Sequence, residues 1–144
     1  MIQTTCYFRR RLGLLGLLLV VLTPFPGSLS GQGAAPNIQI TGVPPAKQGN
    51  PTDMFRISGT VTGVQQPRDY AVIIYAFAAD LWWVQPYDYQ PKTAINDGKF
   101  QTLTHGGTAY AALLVRAGFK PEAKMPALPP EGGDIIKIAS VDGK

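Results

Sequence analysis

Residues 70–91 read YAVIIYAFAADLWWVQPYDYQP. They hold both tryptophans and four of the six tyrosines, and their only charged residues are Asp80 and Asp88. The first nine, 70–78, are apolar at both parities of an extended chain, with β-branched Val72, Ile73 and Ile74 and aromatic Tyr75 and Phe77. Side chains alternate across a strand, so a strand that is apolar at both parities must be covered on both faces. A central strand with a second sheet on one side and loops on the other meets that demand. A turn at Ala79-Asp80 separates it from a short strand over 81–85. After that, Pro86 and Pro91 limit ladder pairing around Tyr87-Asp88-Tyr89, which makes this segment an edge or a loop.

The segments on either side are shorter and half-polar. Residues 37–43 alternate, Ile38 and Ile40 against Gln39 and Thr41, until Pro44-Pro45 ends the run. Residues 46–53 read as a loop. Residues 54–61 place Phe55, Ile57, Gly59 and Val61 on one face. Asn96-Asp97-Gly98 is a turn, because these residue types tolerate positive φ. Residues 99–105 then set Phe100, Thr102 and Thr104 opposite Gln101, Leu103 and His105.

Residues 108–117 contain Tyr-Ala-Ala-Leu-Leu-Val, which has the propensity of a helix. The run is short, lies between Gly106-Gly107 and Gly118, and has strand-like neighbours, so we read it as a buried strand. Four prolines (121, 126, 129 and 130) make 119–133 an extended crossover, and 134–141 close the chain as a last strand. Seven to eight short strands in one all-β, antiparallel sandwich account for the pattern.

The first thirty residues have a different composition. Arg9, Arg10 and Arg11 precede an apolar run over 12–22, then come Pro24, Pro26 and Ser28-Leu29-Ser30. That is the order of a cleaved secretory signal peptide over 1–30, with the cut before Gly31. The run is shorter than the ~20 residues that span a bilayer, so no membrane attachment is expected after cleavage. Residues 31–36 are expected to be a disordered tail and 37–144 the folded domain, secreted or periplasmic.

Thirteen Lys+Arg oppose nine Asp+Glu. Three of the thirteen lie at 9–11, which leaves ten against nine and a net charge near +1 for the exported part. The basic balance thus belongs to the export signal and is no argument for nucleic acid. Cys6 is the only cysteine, so an exported domain must rely on its apolar core rather than on disulfides.

Several residue groups carry a likeness to known proteins. They are Gly59-Thr-Val-Thr, Ala94-Ile95-Asn96-Asp97-Gly98-Lys99-Phe100, and the strand from Tyr110 to Arg116-Ala117-Gly118-Phe119-Lys120-Pro121. They resemble the carboxypeptidase-regulatory-like, or transthyretin-like, domains of exported bacterial proteins. Trp82-Trp83-Val84-Gln85-Pro86-Tyr87, Ile95-Asn96-Asp97-Gly98, Thr104-His105-Gly106-Gly107 and Tyr110 also look like an accessory β-sandwich module found beside glycoside hydrolases. The resemblance covers roughly 38–141. It implies an immunoglobulin-like or transthyretin-like sandwich that is not an enzyme, with a link to polysaccharide. With no catalytic domain expected in these residues, the module is expected to bind, brace or pair in trans.

The candidate site is in the aromatic stretch. If the extended state continues past Pro86, Trp83, Gln85, Tyr87 and Tyr89 share one side, with Trp82 and Val84 on the other. The simplest assignment buries Trp82 and partly exposes Trp83. An exposed flat ring beside Gln85, Asp88, Gln90 and the hydroxyls of Tyr87 and Tyr89 suits a sugar, whose C–H face stacks on the ring while its hydroxyls meet the polar groups. The competing reading has both tryptophans filling the sandwich, and a third makes the aromatics a contact patch for an envelope or secreted protein.

Other chemistries find little support. His105, the single histidine, has no HxH or HExxH spacing and reads as a turn histidine bonding to backbone near Gly106-Gly107. No metal site or cofactor is expected. Asp80 and Asp88 flank the aromatics, but a glycosidase needs two carboxylates across a cleft, for which so small a domain has little room. Ser58 and Ser140 lie inside expected strands, and no GxSxG, GxxxxGK[ST] or GxGxxG occurs.

Overall fold

The computed structural model describes residues 33–49 and 51–144. The signal peptide expected at 1–30, with the first two residues of the expected tail, lies outside the described residues. Residues 33–36 have no regular structure and pass close to the turn at Gly63.

The described residues are all-β. Their strands are β1 (Asn37–Gly42), β2 (Met54–Thr62), β3 (Tyr70–Ala78), β4 (Leu81–Gln85), β5 (Lys92–Thr93), β6 (Lys99–His105), β7 (Ala109–Arg116), β8 (Lys124–Met125) and β9 (Ile135–Asp142). One 3-10 turn, Pro67–Asp69, precedes β3. The ambiguous run at 108–117 is a strand, and the outer residues at both ends fall outside the ladder. Two sheets result. One has the order β1–β2–β6; the other runs β8–β4–β3–β7–β9, with β5 also paired to β3. Every named strand pair is antiparallel.

β3 and β7 are buried on both faces because each face has its own cover. Toward the smaller sheet they present Val72, Ile74 and Ala76 with Tyr110, Ala112 and Leu114, packed with Ile38, Ile57, Val61, Ile95 and Phe100. Away from it they present Ala71, Ile73 and Tyr75 with Ala111, Leu113 and Val115. This second face is covered by the proline-rich crossover, through Phe119, Met125 and Leu128. At about 1.5–3 kcal/mol for each large apolar side chain removed from water, both faces contribute to stability. The crossover is fastened by polar contacts too: the Tyr75 hydroxyl donates to the Glu122 carbonyl at 2.9 Å, and Val84 N–H donates to the Ala123 carbonyl at 3.0 Å.

β2 and β6 show the expected one-sided burial. Ile57, Gly59 and Val61 are buried along β2, as are Phe100 and Thr104 along β6. Gly59 is paired with Phe100. A Cβ at position 59 would sit 2.5 Å from the Phe100 ring, so only glycine lets that ring lie across the strand. Tight turns set the registers. Asn96 and Lys99 exchange two backbone hydrogen bonds of 2.8 and 2.9 Å around Asp97 (φ 49°) and Gly98 (φ 70°), the two-residue turn whose twist matches a hairpin. β3 and β4 are joined by Ala79 (φ 50°) and Asp80 (φ 60°) in the same left-handed region.

Candidate functional site

β4 and β5 occupy one edge of β3. β4 pairs with Ile74 to Ala78, and β5 with Val72 and Ile73. Residues 86–91 are therefore an excursion out of a single strand position. The Gln85–Pro86 peptide is cis, and the chain turns back with Gln90 N–H donating to the Tyr87 carbonyl at 3.2 Å. The extended state does not continue past Pro86, because the proline withholds a ladder donor and the following residues form a turn. Tyr87 and Tyr89 nevertheless meet, stacked with centroids 5.1 Å apart and planes 6° from parallel.

Paired residues on adjacent strands share a face. Trp83 opposite Ala76 and Gln85 opposite Ile74 thus lie on the inner face of the larger sheet, while Trp82 opposite Phe77 and Val84 opposite Tyr75 lie on the outer face. Trp82 is half-buried rather than buried. It packs on the outer cluster and tilts against Phe77 at 5.1 Å, but the crossover covers that edge incompletely.

Trp83 is 38% exposed. It lies at the rim of an open cavity of about 550 Å³, also lined by Gln85, Tyr87, Asp88 and His105. The space exists because the inner face here carries only Ala76 and Ala78, and because the smaller sheet ends at β6. Tyr89, 77% exposed, is held to the site through Tyr87 but does not line the cavity. Four of the five expected residues therefore border one space.

The polar groups are tightly specified. Gln85, only 4% exposed, accepts from the backbone N–H of His105 at 2.8 Å through Oε1, and the same oxygen lies 2.9 Å from His105 Nδ1. Gln85 Nε2 donates to the Trp83 carbonyl at 3.2 Å. The indole N–H of Trp83 donates to the Ala78 carbonyl at 2.9 Å, and Lys124 Nζ stands 5.3 Å from the Trp83 ring centroid. The His105 ring meets Tyr87 edge-on at 5.9 Å and 74°.

His105 departs from its expected role. It is the last residue of β6, and its ring bonds to the Gln85 side chain instead of to nearby backbone. Its partner is twenty residues earlier on the other sheet, so local pattern carried no sign of the contact; the one available signal was a lone histidine ending an alternating strand. Of the two flanking carboxylates, Asp88 lines the cavity and Asp80 does not. Among the described residues no group of three or more His, Cys, Asp or Glu is arranged to hold a metal ion.

Comparison with protein-family models, curated proteins and solved structures finds no match for this chain.

Proposed function

We infer that the protein is an exported, non-catalytic binding module whose cavity takes a carbohydrate. The observation that carries this reading is the half-open Trp83 ring on the rim of a cavity of about 550 Å³, beside polar groups. Small-molecule sites of about 300–1,000 Å³ combine apolar walls with a few placed polar atoms. Trp83 supplies the stacking platform for a sugar C–H face, Tyr87, Asp88 and the Gln85–His105 pair line the same cavity, and Tyr89 stacks on Tyr87 outside it. The sequence likeness to accessory modules of glycan-degrading systems supports the same ligand class. The composition of residues 1–30 supports export; amino-terminal sequencing of the protein recovered outside the cytoplasm should begin at Gly31.

Calorimetric titration and pull-down against soluble and insoluble polysaccharides test the ligand class. Binding that disappears in a folded Trp83→Ala protein supports the site. Absence of binding across the panel, or binding unchanged by that substitution, removes it.

A structural or protein-interaction role in the cell envelope is the second reading. It is favoured by the exposure of Tyr89 and of Leu103, whose pocket with Arg56 and Gln101 adjoins Tyr87. Cross-linking in the native envelope that maps to Tyr89 and Leu103, without glycan binding, would select it.

A further inference from the structure

The Gln85–His105 contact specifies more than a position. A backbone N–H can only donate, so the Gln85 atom facing His105 N must be the amide oxygen. The Gln85 amide nitrogen independently requires an acceptor and has one, the Trp83 carbonyl. That same oxygen lies 2.9 Å from Nδ1, and two bare acceptors do not pair, so Nδ1 carries the proton of the neutral imidazole. Nε2 is then an unprotonated acceptor. Among the described residues Nε2 has no hydrogen-bond partner and no buried side-chain polar atom lacks one, so Nε2 reaches solvent. His105 lines the cavity, which sets Nε2 within reach of a ligand there.

The other side chains at the site lean the same way. The Trp83 indole N–H is already used on the Ala78 carbonyl, and Gln85 turns its oxygen to His105 and one of its two amide hydrogens to the Trp83 carbonyl. Lys124 lies over the Trp83 ring and does not line the cavity. Among the described residues, the cavity-lining side-chain groups that make no hydrogen bond are two acceptors, His105 Nε2 and the Asp88 carboxylate, and the Tyr87 hydroxyl, which can act either way; the second amide hydrogen of Gln85 belongs to a side chain only 4% exposed.

We propose that Gln85 holds His105 as the Nδ1–H tautomer so that Nε2 accepts a hydrogen bond from a ligand hydroxyl, which makes this cavity a site for neutral, hydroxyl-donating glycans and not for acidic ones. The proposal rests on the carbohydrate reading for its ligand, while the tautomer stands on the free protein alone. An acidic sugar would bring its carboxylate toward Asp88 and Nε2, neither of which can donate to it.

Two measurements test it. Long-range proton–nitrogen correlation spectra of the ¹⁵N-labelled free protein at pH about 8.5, above the ordinary imidazole range, should show a protonated Nδ1 and a bare Nε2. A protonated Nε2 overturns the proposal whatever the protein binds. Titration with gluco-, xylo- and manno-oligosaccharides, and with oligogalacturonate as the acidic counterpart, should find a neutral ligand that binds more tightly than the acidic one. On binding, the Nε2 resonance should shift while Nδ1 stays in place. His105→Asn keeps a donor toward Gln85 and removes Nε2; it should weaken the neutral ligand about three- to tenfold, the worth of one hydrogen bond. Preference for oligogalacturonate, or a bound-state Nε2 that does not move, overturns the proposal, and the second readout needs no variant to fold. If the tautomer is as stated but no oligosaccharide of either kind binds, the carbohydrate reading fails and the ligand part of this proposal fails with it.

Discussion

The Gln85 side chain of β4 and the backbone of His105 on β6 are joined by a 2.8 Å hydrogen bond that ties the two sheets together at their open end. β6 is the last strand of its sheet, so its outward N–H would otherwise need water at a partly covered position. Gln85→Met keeps the volume and the apolar stem but leaves that donor unpaired. The expected cost is about 1–3 kcal/mol, the penalty for a stranded buried donor. Urea unfolding should show a lower midpoint at an unchanged slope. An unaltered midpoint would mean that water replaces the amide without loss.

The adjacent tryptophans should separate stability from binding. Trp82 packs on Phe77 and the outer cluster, so Trp82→Ala should destabilise by about 2–3 kcal/mol, less than the full figure for a buried ring because this one is half-covered. Trp83→Ala loses one hydrogen bond to Ala78 and the Lys124 contact, about 1 kcal/mol, but removes the cavity rim. Thermal melts of the two variants give the order. In single-tryptophan proteins, made by Phe at the other position, an aqueous quencher should reach Trp83 more readily than Trp82.

Tyr75 links the core to alkaline stability. Burial, followed by the charge of Glu122, pushes its hydroxyl up to about 12, with hydrogen bonding from the Glu122 backbone pulling the other way. The ordinary value is 10.0. Between these two values the unfolded chain has released this proton and the folded chain has not. The folded state therefore binds more protons, and stability falls as pH rises through that window. Tyr75→Phe loses the hydrogen bond, at about 1 kcal/mol near neutral pH, and should show a shallower decline between pH 10 and 12. Equal slopes in the two proteins would place the alkaline sensitivity elsewhere.

The central strand was legible because its cause is local and redundant: nine residues apolar at both parities leave no face for water, and β3 runs over those nine. The Asp97-Gly98 turn was legible for a steric reason, since these residues accept the positive φ that they adopt. Ala79 adopts a similar φ with no such licence in its side chain. It is held there by β3–β4 pairing, which begins at Ala78 and Leu81. β5 and β8 have two residues each, β5 directly after Pro91 and β8 between Pro121 and Pro126; they pair only because the excursion and the crossover dock on β3 and β4. The site divides in the same way. Trp83 and Gln85 followed from strand parity, whereas His105 joins them across twenty residues through a contact that only the stacking of the sheets creates.

Tyr110 satisfies two backbone groups with one buried hydroxyl. Its ring is fully buried in the core between the sheets, and its hydroxyl accepts from Gly107 N–H and donates to the Pro45 carbonyl, both at 2.9 Å. Burial raises its pKa, and the Gly107 hydrogen bond lowers it. Tyr110→Phe preserves the packing but leaves two backbone groups without this partner, one on each side of the ring's tip. Gly107 has little freedom to move away, because its α-carbon hydrogens already face the Phe77 backbone; a Cβ there would be 2.9 Å from the Phe77 carbonyl oxygen. The expected loss is about 2–4 kcal/mol, larger than for Tyr75→Phe because two backbone groups are stranded instead of one. Hydrogen exchange should locate it: the Gly107 amide should lose protection in the variant by a larger factor than amides in the middle of β3. Uniform loss across the sheet would show that the hydroxyl acts only through global stability.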